Sequence, residues 1–113
     1  MSKPEDFLPL TPAEFQVLLA LAEGERHGYA IMQDLKTQTN GQLTIGPGTL
    51  YTLLDRLLTS GIIEESPRRP ELNEDQRRRY YRLGRLGRRV LEAEAQRLEA
   101  LVRAARRRLS QHA

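Results

Sequence analysis

The sequence predicts a mainly α fold carrying one small β-hairpin: three short helices, then the hairpin, then a long closing helix. Three observations carry that expectation. Apolar residues recur at helical spacing in three segments before residue 60. Two short runs rich in Ile and Tyr then flank a polar stretch, Pro67 to Gln76. Finally, the segment from about Leu86 to Leu109 has no proline and holds an apolar repeat in steps of 4, 3, 4, 3 and 4. Three helices followed by a two-stranded hairpin is the order of a winged helix-turn-helix domain. The expected segments are an N-terminal arm (1–10), the winged-helix domain (11–83), and a C-terminal dimerisation helix with its tail (84–113).

Each element has a local cause. Pro4 and Pro9 suit an extended or frayed arm. Thr11-Pro12-Ala13-Glu14 opens the first helix: Thr11 caps it, Pro12 fits the first turn and Glu14 completes a capping box. Phe15, Leu18, Leu19 and Ala22 follow at helical spacing, and Gly24 supplies a stop. A second helix runs from about Gly28 to Thr39 with Ile31, Met32 and Leu35 on one face, ended by Asn40-Gly41. Gln42 to Ile45 reads as a short strand. Gly46-Pro47-Gly48-Thr49 turns into a third helix whose Leu50, Leu53, Leu54, Leu57 and Leu58 form one apolar stripe, closed by Ser60-Gly61. The hairpin is expected to pair Ile62–Glu65 with Arg77–Leu83. Tyr80 and Tyr81 alternate faces there, so one is expected in the core and the other half exposed.

Composition narrows the function. The chain has 113 residues and no cysteine, which fits one small domain and excludes disulfides and thiolate chemistry. The longest apolar run, Val17 to Ala22, is far short of the ~20 residues that span a bilayer, and the first residues lack a signal-peptide pattern. A soluble, cytoplasmic protein without a membrane partner is expected. His27 and His112 are too far apart to make a metal-ligand set, and no nucleophile motif or phosphate loop is present. No catalytic residue, metal or cofactor is expected, and the chain does not read as an enzyme.

The net charge of +3 is modest but uneven: from Arg82 onward nine arginines face Glu92, Glu94 and Glu99. Local clusters must therefore carry any argument for nucleic acid. On the third helix Thr49, Tyr51, Thr52, Asp55, Arg56 and Thr59 lie off the leucine stripe. Thr49 and Thr52 can donate to phosphates or touch base edges, and Tyr51 can meet phosphate, sugar or a methyl group. Gly46 and Gly48 allow close backbone approach. Tyr51 packed partly in the core, with solvated threonines, is the competing reading. Arg68, Arg69, Arg77, Arg78 and Arg79 bracket the hairpin loop as a DNA-contacting wing requires, while Glu71, Glu74 and Asp75 cancel part of that charge. A salt-bridged surface hairpin is the alternative. His27 can cap the second helix or contact a phosphate.

In the last helix Leu91, Ala95, Leu98, Val102, Ala105 and Leu109 form a heptad seam that pairs naturally with a second copy. A helix packed wholly on its own domain is the other reading. A two-fold dimer would set two reading heads about one helical turn, ~34 Å, apart on double-stranded DNA, matching an inverted-repeat operator.

Several motifs, in order and at compatible spacing, resemble the PadR family of repressors: Leu18-Leu19-Ala20-Leu21, His27-Gly28-Tyr29, Pro47-Gly48-Thr49-Leu50-Tyr51, Leu54, Arg56-Leu57, Gly61-Ile62-Ile63-Glu64, Arg79-Tyr80-Tyr81-Arg82-Leu83, and Gly87 with Leu91. The likeness spans about residues 11–91. It implies a winged-helix domain with one C-terminal dimerisation helix, repression by a homodimer on an inverted repeat, and release by a small molecule or stress signal in many members. It places DNA contacts on Tyr29, Gly48, Thr49, Tyr51 and the wing arginines. Two departures stand out. Gly84 replaces the usual threonine cap of the last helix, and the chain has no tryptophan, so the aromatic sandwich of drug-binding members is not available in that form. A small-molecule effector is placed between the first and last helices near Phe15, Leu19 and Val90, residues that read more readily as dry core. The function expected is a sequence-specific DNA-binding repressor; the alternative is a protein-interaction adaptor on a winged-helix scaffold.

Overall fold

The computed structural model describes residues 2–73 and 75–112. Its elements run as a 3-10 turn (Pro4–Phe7), α1 (Pro12–Ala22), β1 (Arg26–His27), α2 (Gly28–Gln38), α3 (Pro47–Thr59), β2 (Ile63–Glu65), β3 (Tyr80–Leu83) and α4 (Arg85–Gln111).

The expected capping box starts α1. Thr11 Oγ1 accepts from the Glu14 amide at 3.1 Å, and Glu14 Oε1 accepts from the Thr11 amide at 2.8 Å. The helix buries Val17, Leu18, Ala20 and Leu21. His27 is the N-cap of α2, its Nδ1 accepting from the Ala30 amide at 3.2 Å. A Schellman turn closes α3: the Ile62 amide donates to Leu57 O and the Gly61 amide to Leu58 O, with Gly61 at φ +80°. The inward leucines Leu50, Leu53, Leu54 and Leu57 pack on Val17, Leu18, Leu21, Ile31 and Leu35 to form the core.

Several expectations needed correction. Gln42–Ile45 is not a strand. The Thr39 hydroxyl accepts from the Leu43 amide at 3.0 Å, so a local side-chain bond takes the place of a ladder. The sheet has three strands rather than two, ordered β1-β3-β2. Arg26 and His27 pair antiparallel with Tyr81 and Tyr80, while Ile63, Glu64 and Glu65 pair with Leu83, Arg82 and Tyr81. The returning strand begins at Tyr80, not Arg77. Pro67 has no amide to donate, and the Arg68 amide turns to Ser66 Oγ, so the ladder stops there. Both tyrosines of the strand are buried, because β3 is central: His27 and Arg68 cover the Tyr80 ring that would otherwise face solvent.

The N-terminal segment is packed, not frayed. Its 3-10 turn lies on α4, and the Leu10 amide donates to the buried carboxylate of Glu94 at 2.8 Å. Arg97 closes the other side of that carboxylate through Nε and Nη2. Helix α4 passes so close to the turn between α3 and β2 that a Cβ on Gly87 would stand 2.0 Å from Ile62 O. Gly84 precedes it, and a Cβ there would lie 3.0 Å from Gly61 O; the missing threonine leaves a tight junction, with the Arg88 amide bonded to Gly84 O. Beyond Ala100, α4 stands clear of the domain, which accounts for a long dimension of 59 Å. None of the described helices is long and apolar enough to cross a membrane.

Candidate nucleic-acid interface

One stripe of α3 is the leucine core; the residues between them look outward. Gly48, Thr49, Tyr51 and Thr52 are all exposed. Gly46, at the N-cap, and Pro47, at the first helical position, bring no side-chain cap to the amide end of the helix. Gly48, Thr49 and Thr52 line an open groove of about 670 Å³ shared with Thr11, Ala13 and Arg56. Arg56 reaches Glu14 of α1 at 3.7 Å across it.

On the other side of α3, Tyr51 faces a second hollow of about 430 Å³. Tyr29 from α2 and Arg77, Arg78 and Arg79 from the wing line the same hollow, with Asp75 among them. Tyr29 and Tyr51 are 58 % and 45 % exposed, so both rings reach solvent, Tyr51 while packing in part on the domain. The floor of this hollow is Gly28, against whose Cα the phenol of Tyr51 lies. The structure thus brings Tyr29, Tyr51 and three wing arginines into one concave face. Thr49, Thr52 and Gly48 lie around the helix from it.

Arg68 and Arg69 sit apart from that hollow. The Arg68 guanidinium stacks 4.4 Å from the centre of the Tyr80 ring, and Tyr80 also takes the edge of His27 at 5.4 Å. Arg69 Nη1 donates to Pro67 O at 3.2 Å. His27 therefore caps α2, pairs with β3 and meets the wing through Tyr80.

Carboxylates accompany the wing arginines. Arg79 donates to Glu65 at 3.1 and 3.3 Å, which holds the Glu65 carboxyl below the usual carboxylate range. Asp75 is lowered mainly by the Arg77 amide at 2.9 Å and then by the Arg77 side chain. Burial pushes the Tyr81 phenol up. Glu74 lies outside the described residues. Sequence reasoning offered a salt-bridged hairpin as the alternative but did not single out Glu65 as the partner of Arg79; the Asp-x-Arg spacing of an Asx turn was the available signal for Asp75. It also missed Gly28 as the floor and Glu94 as a buried clasp. Among the described residues no group of three His, Asp or Glu is placed to hold a metal.

The heptad seam divides along its length. Leu91 and Leu98 are half-buried, whereas Ala95, Val102, Ala105 and Leu109 are exposed. Phe15 and Leu19 of α1 line an open apolar hollow of about 350 Å³ with Leu83, Leu91 and Ala95, rimmed by Arg88 and Glu92. Val90 does not line it; that side chain is fully buried in the core.

A three-helix core, a short sheet and a projecting hairpin define a winged-helix protein, and this one presents tyrosines, threonines and arginines on its exposed face. Residues 17–93 match the model of the transcriptional regulator PadR-like family. The chain belongs to that family and is a transcriptional regulator, not an enzyme. It is similar to an uncharacterized protein of Lysinibacillus sphaericus, 32 % identical over 75 residues, covering 66 % of this chain and 67 % of that one. Its fold is similar to that of a PadR-like transcriptional regulator from Bacillus cereus, with TM-score 0.71 and 23 % identity over 85 % of this chain and 89 % of the other. It is also similar to Bacillus subtilis PadR, solved in complex with operator DNA: TM-score 0.61, 22 % identity, 71 % of this chain and 44 % of that one.

Proposed function

We propose that this chain is a homodimeric, sequence-specific DNA-binding repressor released by a small-molecule or stress signal. The observation that carries this reading is the single concave face on which Tyr29, Tyr51, Arg77, Arg78 and Arg79 meet, beside the exposed Thr49 and Thr52 of α3. Arginines on such a face neutralise phosphates, and the short polar side chains of α3 reach base edges. The operator DNA held by the Bacillus subtilis relative is consistent with it.

Dimerisation is supported by the exposed half of the seam. Val102 and Leu109 are 49 % and 72 % exposed, with Leu101 beside the seam at 55 %, on a helix that extends past its own domain, and a second copy would cover them. An effector would enter the hollow beside Phe15, Leu19 and Leu91, where its binding would change how the two domains are set apart.

Titration of the protein against its own upstream duplex and a random duplex tests the reading. Thr49→Ala and Tyr51→Ala are expected to weaken the cognate duplex more than the random one, by ~1–3 kcal/mol for a lost base contact. Arg78→Ala is expected to weaken both equally and to reduce the salt slope by about 0.9. Absence of any shift at low salt would favour the adaptor.

A further inference from the structure

Two carboxylates are paired with arginines of the wing. Arg79 directs Nε and Nη2 onto Glu65 at 3.3 and 3.1 Å. Arg77 directs the same two nitrogens onto Asp75 at 3.3 and 3.4 Å, and its amide fixes that carboxylate at 2.9 Å. Asp75, Arg77 and Arg79 line the hollow that Tyr29 and Tyr51 also face. Glu65 shares the face of β2 with the inward Ile63, since side chains alternate along a strand.

These pairs are poor devices for holding the fold. Their side chains are 57 % and 45 % exposed for Arg79–Glu65, and 91 % and 47 % for Arg77–Asp75, and exposed pairs contribute little to stability. Both carboxyls are held below the ordinary carboxylate range, so both stay charged at neutral pH. Glu64 and Arg82 offer a built-in contrast. They pair at 2.8 Å directly across the strands, but on the opposite face of the hairpin.

Affinity for a phosphate backbone grows with the number of phosphates that protein cations neutralise, each releasing counterion. An arginine whose charge is already balanced by a fixed carboxylate releases less. We infer that Glu65 and Asp75 are positioning residues of the DNA interface, acting through Arg79 and Arg77 to limit its grip on the sugar-phosphate backbone. The wing is thereby kept weak on arbitrary sequence, and occupancy is left to the contacts of α3. This inference rests on the reading of the chain as a DNA-binding protein.

The test uses charge-only replacements, Glu65→Gln, Asp75→Asn and the double variant, with Glu64→Gln as control. Affinity for a cognate and a random duplex is measured across a salt series, and folding is checked by thermal denaturation. Each single variant is expected to bind both duplexes about two- to fivefold more tightly, the size of one exposed ion pair, and the double about tenfold. The salt slope should steepen by up to about 0.9 per carboxylate removed, with the cognate-to-random ratio unchanged. Glu64→Gln should match the parent protein. Unchanged or weakened binding by folded Glu65→Gln and Asp75→Asn proteins would overturn the inference, as would a change confined to the cognate duplex. If the parent protein binds neither duplex, the DNA reading itself fails, which is a separate result.

Discussion

The phenol of Tyr51 lies where a side chain on Gly28 would begin: a Cβ at position 28 would stand 2.5 Å from Tyr51 Oη and 2.9 Å from Cζ. Glycine at the start of α2 thus sets the position of an aromatic ring on α3, and with it the spacing between the two helices that face the hollow.

Gly28→Ala follows directly. The atom it meets is the far end of a flexible side chain, so the ring swings outward and the fold survives with a stability change within ~1 kcal/mol. Duplex binding should suffer more, falling toward the level of Tyr51→Ala. Thermal denaturation together with a duplex titration separates the two effects. A binding curve equal to that of the parent protein would detach Tyr51 from the interface.

Gly87 presents the opposite case. Its missing Cβ would lie 2.0 Å from the carbonyl oxygen of Ile62, which is backbone. Neither partner can swing away, so Gly87→Ala must push α4 off the turn at Ile62. A loss of about 2–3 kcal/mol is expected from overpacking, measured by urea denaturation.

Glu94 makes stability depend on acid. Its carboxyl is lowered from 4.5 chiefly by the Arg97 side chain, with the Leu10 amide adding to the effect. A carboxylate lowered in the folded state contributes stability above its unfolded pKa and loses it as pH falls through the folded value. Denaturation as a function of pH should therefore show stability declining below about 4.5. Glu94→Gln should flatten that acid limb. Glu94→Ala leaves the Leu10 amide unsatisfied, for a loss of ~1–3 kcal/mol at neutral pH.

The seam can be broken without touching the domain. Val102 is half exposed and beyond the reach of the core, so Val102→Glu should leave the melting temperature of the domain nearly unchanged. In a paired seam the new carboxylate would be desolvated, at a penalty of several kcal/mol per ion. Sedimentation is expected to report a pair of chains for the parent protein and single chains for Val102→Glu.

Much of this fold is legible where a local signal is strong. The Thr11–Glu14 box, the leucine stripe of α3 and the Ser60-Gly61 stop each act within a few residues, and each stands where the spacing places it. Strand β1 has only two residues, too few for any periodicity, and exists because β3 offers an edge beside His27. Tyr80 defeats the alternation rule because Arg68 and His27, far apart in the chain, converge on its ring. The same holds for Glu94, whose partner amide lies 84 residues away. At the candidate interface, exposure of Thr49, Tyr51 and Thr52 follows from helical phase. The arginine–carboxylate pairing of the wing depends on the path of a loop, which residue types alone do not specify.

One measurement bears most directly on the central claim, that two copies of this chain read double-stranded DNA with α3 and the wing. Fragments captured from genomic DNA by the purified protein supply the operator, and sedimentation of a labelled operator duplex with increasing protein gives the stoichiometry. Two chains per inverted-repeat duplex are expected, with affinity falling steeply as salt rises. A duplex that sediments alone at low salt, in the presence of micromolar folded protein, would contradict the account.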